Sequence, residues 1–324
     1  MEKIAVIVLN WNGKTDTLAC LKSLHSIENI DVIIVDNGST DGSVEAIVCQ
    51  FPQYTLIQAG YNLGFAEGNN VGIRIALQKG ATHVLLLNND TDVLPDLIEQ
   101  LLKLMKRYPQ AGIVGGKPVL FSQPDTLDHF GGRWNPKKGL FELVGAGKKE
   151  VDWVVPLELD YVCGAAVFIK REVFEAIGLL EGRFFLVWEE ADFCSRAKKA
   201  GFSSMTAPQA KFLHKVSASF IGGRPHITYF WWRNRLLFIS RNVGALPKMS
   251  LWIRVLLPEI FKLCKLFFLK RLQFYWYRSC KNEVKARKAE AFLLKTGAAL
   301  LGVSDYFRGR LGPAPASVFR KTFD

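Results

Sequence analysis

Asp90 and Asp92 stand one residue apart in the stretch His83-Val-Leu-Leu-Leu-Asn-Asn-Asp-Thr-Asp-Val93. The apolar run before them, residues 84–87, is short and bounded as a buried strand is. Two carboxylates at the end of such a strand are costly to leave unpaired. A hard divalent cation, Mg2+ or Mn2+, bridging them to a diphosphate would satisfy both. The same residues also suit an Asx-rich turn ahead of a helix that has Pro95 in its first turn. A second acidic group, Glu189, Glu190 and Asp192, opens a helical stretch. Acids there complement the helix dipole, and Asp192 can pair with Arg196 four residues on. Beside the aromatic Phe184, Phe185 and Trp188, one of the adjacent glutamates would instead have a raised pKa and act as a general base. His214 follows a short apolar segment and reads either as a structural histidine or as a metal ligand.

Other polar residues collect in loops. Asn10 and Asn12 follow one apolar run, and Asp36, Asn37 and Ser39 follow another. Such side chains can read a base edge and a ribose, and they also make tight turns. Residues 62–70, with Asn62, Gly64 and Asn69, read as a Gly-rich loop that matches neither a P-loop nor a dinucleotide fingerprint. Arg224, Arg233, Asn234 and Arg235, beside Tyr229, Trp231 and Trp232, could hold phosphates or form a solvated basic face.

The elements that must position these residues follow a pattern. Apolar runs at 4–9, 32–35, 54–57 and 84–87 are each followed by a polar loop and then by helical spacing. Four such repeats predict an α/β fold, a mostly parallel sheet with helices on both faces and the polar loops along one edge. Ligands bind at that edge in open α/β sheets. Residues 111–159, broken by Pro and Gly, predict short strands and loops, a mobile flap. A strand follows at 161–170, helices at 171–177 and 189–200, one or two short strands at 203–212, and an aromatic, basic helix at 227–243.

Composition changes near Pro247. Residues 248–295 carry 12 Lys or Arg against 3 Glu. Basic residues interrupt every apolar run there, so the region is expected to lie on an anionic membrane surface rather than cross it. No run reaches the length needed to span a bilayer, and the N-terminus does not resemble a signal peptide. The expected organisation is a catalytic domain over 1–245 and a basic aromatic helical region over 246–324, ending in a loose tail from 309. A net charge of +12 points to an anionic partner. Six widely spaced cysteines without a CxxC pair read as buried thiols in a reducing compartment, neither a disulfide framework nor a zinc site.

Taken together and in order, these motifs resemble the family 2 glycosyltransferases, which are inverting enzymes of GT-A fold. The residues that carry the likeness are Val6-Ile-Val-Leu-Asn-Trp-Asn-Gly13, Ile34-Val-Asp-Asn-Gly-Ser-Thr-Asp-Gly-Ser43, the 62–70 stretch and Leu86-Leu-Asn-Asn-Asp-Thr-Asp92. Gly164-Ala-Ala-Val-Phe-Ile-Lys-Arg-Glu-Val-Phe174 and Phe185-Leu-Val-Trp-Glu-Glu-Ala-Asp-Phe-Cys194 complete the set. The resemblance covers about residues 1–245. Leu9-Asn-Trp-Asn, Trp188-Glu-Glu-Ala-Asp and His214-Lys-Val-Ser-Ala-Ser bring it nearest to the bacterial rhamnosyltransferase group.

The resemblance implies base recognition by Asp36, ribose and metal contacts by Asp90 and Asp92 as a DxD motif, and completion of the metal site by His214. It implies a base at Glu190, where the family usually has Asp, with Glu189 as the competing choice, and a diphosphate or acceptor contact by Arg233 and Asn234. The donor implied is a nucleoside-diphosphate sugar, dTDP-rhamnose before a UDP-sugar, and the acceptor a lipid-linked saccharide of cell-surface polysaccharide synthesis. The implied location is the cytoplasm, peripheral on the inner face of the plasma membrane. Rival readings are a nucleotidyltransferase, a non-catalytic sugar-nucleotide binder and a nucleic-acid-binding protein. The first lacks its Gly-rich basic loop at 10–13. The last is disfavoured because much of the charge lies after residue 247, away from the acids, and no nucleic-acid partner is expected.

Overall fold

The computed structural model describes residues 2–216 and 224–319. By internal contacts the chain forms two compact units. The first is Met1–Trp134 with Phe141–Phe185 and Glu189–Val216; the second is Asn135–Leu140, Leu186–Trp188 and Ser217–Asp324. The division falls at Val216, earlier than the boundary expected at 245, because the long helix after it packs with helices of the second unit.

The first unit begins with β1 (Ile4–Asn10), α1 (Lys14–Leu24), β2 (Ile30–Asp36), α2 (Ser43–Gln50), β3 (Thr55–Gln58), α3 (Gly64–Gln78) and β4 (His83–Asn88). The short β5 (Thr91–Val93) and α4 (Leu97–Arg107) follow. Then come β6 (Ala111–Leu120), β7 (Gln123–Leu127), β8 (Gly131–Asn135), β9 (Leu140–Val144), β10 (Glu158–Leu159), β11 (Tyr161–Val162) and β12 (Ala166–Lys170). It ends with α5 (Arg171–Ile177), α6 (Glu189–Lys199) and β13 (Ser203–His214). The main sheet runs β10-β13-β6-β12-β4-β1-β2-β3, with β5 and β7 attached to β13 and β6. Strands β1 to β4 are parallel, as the four repeats require. β12 runs antiparallel between β4 and β6.

The β-branched, apolar strands β1 and β2 are buried on both faces, which is why they read as continuous runs rather than alternations. One face, with Val6, Val8, Val32 and Ile34, packs with Leu21, Leu24 and Ile47 of α1 and α2. On the other face lies α3, and its small residues set how closely. A Cβ at Gly72 would stand 2.7 Å from Ile7, and one at Gly68 2.6 Å from Leu9. This corrects the expectation of a loop over 62–70. The glycines there permit a helix to sit directly on the sheet, and only 62 and 63 precede it.

The 111–159 stretch is also corrected in part. β6 is a ten-residue central strand, buried almost throughout. It hid because a strand covered on both faces shows no period of two, and because Gly115 sits in it to clear Val162. The remainder does form short strands, with β11, β8 and β9 as a small separate sheet.

The second unit is helical: α7 (Pro225–Asn242), α8 (Ala245–Leu251), a π-helical turn at Trp252–Leu256, α9 (Leu257–Ser279) and α10 (Glu283–Phe307). α10 lies against α7 at Gly302, where a Cβ would meet the Tyr229 carbonyl at 2.4 Å. No residue of α9 is buried. The tail expected to be loose is tied down to residue 319. Arg233 donates to the Gly312 carbonyl at 2.6 Å, and Val318 is buried in a final 3-10 turn. Residues 320–324, and Ser217 to Ser219 of the late motif, lie outside the described residues. No described helix is long and apolar enough to cross a membrane.

Candidate active site

Parallel pairing brings the C-terminal ends of β1, β2 and β4 together. Asn10 pairs with Asp36 and Leu9 with Asn88. The polar loops therefore meet at one edge, and their side chains are linked. Asn10 donates to an Asp36 carboxylate oxygen at 2.7 Å and to Ser39 Oγ at 3.0 Å. Thr17 donates to Asn10 Oδ1 at 2.7 Å, and Asn89 donates to Thr17 at 2.8 Å. The second Asp36 oxygen accepts the backbone N–H groups of Gly38 and Ser39. Asp36 is thus buried and holds the loop in shape. Asn12, in the left-handed region at φ 51°, lies exposed and accepts from Thr40 N–H.

Asn37 is buried and donates to the Gly64 carbonyl at 3.0 Å, while its own oxygen has no hydrogen-bond partner. Asn62 accepts from Gly64 N–H. Gly64 itself has φ 79°, and a Cβ there would collide with Phe185 at 2.6 Å. Asn69 turns back along its helix to the Phe65 carbonyl, buried.

β5 pairs antiparallel with β13, so Thr91 faces His214 across the ladder. This pairing, unforeseen from the sequence, sets Asp90 beside His214. Nε2 of His214 lies 3.3 Å from Asp90 Oδ1, a contact of charges rather than a directed hydrogen bond, and that buried oxygen has no donor. Nδ1 of His214 donates to Asp128 at 2.9 Å. Burial pushes the imidazolium down, but the Asp128 and Asp90 carboxylates together outweigh it and raise its pKa to about 10. A buried acid oxygen with no donor, a histidine whose far nitrogen is fixed by a carboxylate, and a half-buried Asp92 across from Leu213 fit a hard or borderline divalent cation. Among the described residues, however, the group whose three ligand atoms lie within 4.8 Å of one another is Asp128, His129 and Cys163, not the DxD acids with His214. Sequence reading missed all three. The adjacent Asp128 and His129 ahead of Gly131-Gly132 were the available signal.

At the start of α6 the glutamates diverge. Glu189 is 4 % exposed, and burial followed by the neighbouring Glu190 charge raises its pKa well above the usual carboxylate range. Glu190 is only half-buried and flanks Gly164, whose Cβ position lies 3.6 Å from its Oε1. Asp192 is fully buried and paired with Arg196 Nε at 2.9 Å, the pairing its spacing allowed. Arg196 also donates to the carbonyls of Ile177 and Leu179.

Within the second unit, Arg233 is 0 % exposed and lies over the rings of Tyr229 and Phe230. Its Nε donates to Asn234 Oδ1 at 3.0 Å. Asn234 donates to the carbonyls of Leu186 and Val187, each at 2.8 Å. Val187 and Trp188 have φ of 61° and 77°, a conformation rare for β-branched and bulky residues, so the segment just before Glu189 in sequence is strained and pinned. Three cysteines are buried as expected, but Cys49 and Cys280 are exposed. The first sits in α2 and the second caps the C-terminus of α9, positions the wide spacing could not distinguish.

A family model described as glycosyl transferase family 2 matches residues 5–178. The chain belongs to that family. The glycosyltransferase is 28% identical over 260 residues to an N-acetylglucosaminyl-diphospho-decaprenol L-rhamnosyltransferase of Mycobacterium tuberculosis, covering 69% of this chain and 84% of the relative. It is 25% identical over 250 residues to a dTDP-rhamnosyl transferase, RfbF, of Shigella flexneri, covering 74% and 81%. In fold it is similar to the mannosyltransferase PcManGT of Pyrobaculum calidifontis, solved with GDP-Man and Mn2+. The TM-score is 0.53 at 14% identity, over 95% of this chain and 88% of that one. The architecture is therefore that of the GT-A glycosyltransferases, with a central mostly parallel sheet in the half that carries the polar loops.

Proposed function

We propose that the protein is an inverting, metal-dependent glycosyltransferase that moves rhamnose from a nucleoside-diphosphate donor, dTDP-rhamnose before a UDP-sugar, to a hydroxyl of a lipid-linked saccharide. The observation that carries the reading is Asp90 Oδ1, a buried carboxylate oxygen without a donor, held beside His214 at the C-terminal edge of the parallel strands. The two relatives named for rhamnosyl transfer supply the sugar. Asp90, Asp92 and His214 would hold Mg2+ or Mn2+, which supplies charge neutralisation for the departing diphosphate.

The chain's own groups supply the rest. Asn37, Asn62 and the exposed Asn12 offer amides to the nucleoside, on a loop that Asp36 and Asn10 keep rigid. Glu190 takes the proton of the acceptor hydroxyl at a carboxylate oxygen, and that hydroxyl attacks the anomeric carbon on the face opposite the diphosphate. Burial favours the protonated form of Glu189 beside it, which eases repulsion between the two carboxylates. The protein works in the cytoplasm at the inner face of the plasma membrane, held there by α9. Phe261, Phe268, Leu272 and Trp276 of α9 are exposed among Lys262, Lys265, Lys270 and Arg271.

Calorimetric binding of a panel of nucleoside diphosphates and their sugars, with and without Mn2+, tests the donor site. Metal-dependent binding of one nucleotide that Asp92→Asn abolishes is the expected result. No binding of any nucleotide would overturn the reading.

A further inference from the structure

The loop that links β7 to β8 carries Asp128 and His129, and the residue after β11 is Cys163. β11 pairs antiparallel with β8, Val162 opposite Gly131. The Cys163 N–H continues the ladder by donating to the Phe130 carbonyl at 2.9 Å. The backbone on both sides of His129 is held as well, Asp128 N–H donating to the Pro118 carbonyl at 3.1 Å and Phe130 N–H to the Val144 carbonyl at 2.9 Å. Cys163 Sγ lies 3.8 Å from His129 Nε2. The edge of a tetrahedral zinc site joining sulfur and nitrogen is about 3.5 Å. All three ligand atoms already fall within 4.8 Å, so modest side-chain rotation closes the set.

We propose that Asp128, His129 and Cys163 form a binding site for a thiophilic divalent cation, Zn2+ in type, separate from the Asp90–Asp92 pair. The donor set decides the ion. Thiolate and imidazole select borderline and soft cations, whereas Mg2+ takes oxygen ligands and keeps its water. Cys163 is a buried thiol whose Sγ faces the Nε2 edge of the His129 ring. Asp128 gives one oxygen to His214 and has the other to ligate, so it stands between the two metal positions. Asp128 and His129 are only half-buried, which leaves an approach for the ion and room for a water as fourth ligand. On binding, the Cys163 thiol loses its proton to solvent and no electron moves.

The test is titration of the reduced, full-length protein with Co2+ in saturating Mg2+. The expected result is a thiolate-to-cobalt charge-transfer band that saturates at one equivalent and is bleached by Zn2+. The band should persist in Asp92→Asn, weaken at least tenfold in apparent affinity in His129→Gln, and vanish in Cys163→Ser. Absence of the band overturns the proposal. So does its survival in Cys163→Ser, which would put it on the exposed Cys49 or Cys280, or an unchanged affinity in His129→Gln. If Cys163→Ser does not fold, as judged by circular dichroism, the His129→Gln titration decides alone.

Discussion

Asp90 and Glu189 in the first unit and Arg233 and Arg235 in the second are all withdrawn from water, but their hydrogen-bonding capacity is used differently. Asp90 and Glu189 each keep a buried oxygen with no donor. Arg235, 1 % exposed, donates to the carbonyls of Gly139 and Lys138, pairs with Glu259 at 2.5 Å, and lies over Trp231 and Trp232. Arg233 is committed to Gly312 and Asn234 in the same way. Buried polar groups whose bonds are made organise a fold, whereas buried acids left short of donors cost stability that a proton, a ligand or a reaction can offset. The comparison gives the guanidiniums a structural role.

The largest effect that would break this comparison lies at Glu190. Glu190→Gln should lower the turnover rate by about 10²- to 10⁴-fold with nucleotide affinity unchanged, the range for removal of a general base. A rate within tenfold of the parent would move the base to Glu189. Arg235→Met comes next. Two carbonyls lose their donor while Glu259, 40 % exposed, loses little. Chemical denaturation should show a loss of about 3 kcal/mol, and unaltered stability would erase the distinction between the bonded guanidiniums and the two acids.

Glu189→Gln sharpens it through pH. The folded-state pKa of Glu189 is raised, so the native protein holds a proton that the unfolded chain releases above its ordinary value near 4.5. The stability tied to Glu189 is complete below that value and is lost as pH rises toward the folded pKa. The melting temperature of Glu189→Gln should therefore gain on the parent as pH rises above about 4.5. Parallel melting curves of the two proteins would deny the buried acid its cost. The smallest effects belong to α9. Each neutralisation among Lys265, Lys270 and Arg271 should weaken binding to anionic vesicles by about 1 kcal/mol, read by co-sedimentation at fixed salt. No change in any of the three would detach α9 from the membrane reading.

The four β-loop-α repeats, the gathering of polar loops at one edge and the Asp192–Arg196 pair could all be read from residue order. Each depends on local periodicity or on residues four apart. Residues 62–70 and β6 misled for one reason: glycine in quantity marks a loop in isolation but close packing once a sheet lies beneath it. The contrast between Glu189 and Glu190 was likewise out of reach, since both follow the same aromatic residues and differ only in what covers them.

What the sequence determined by itself was the succession of buried strands and the chemical types available at their ends, because hydrophobic period and turn chemistry are properties of neighbouring residues. Only the tertiary structure decided which of those groups meet. Thr91 opposite His214, Asp128 beneath the imidazole, and His129 beside Cys163 all follow from strand pairings between segments 34 to 123 residues apart. Such pairings arise from the sheet as a whole, and no local pattern records them.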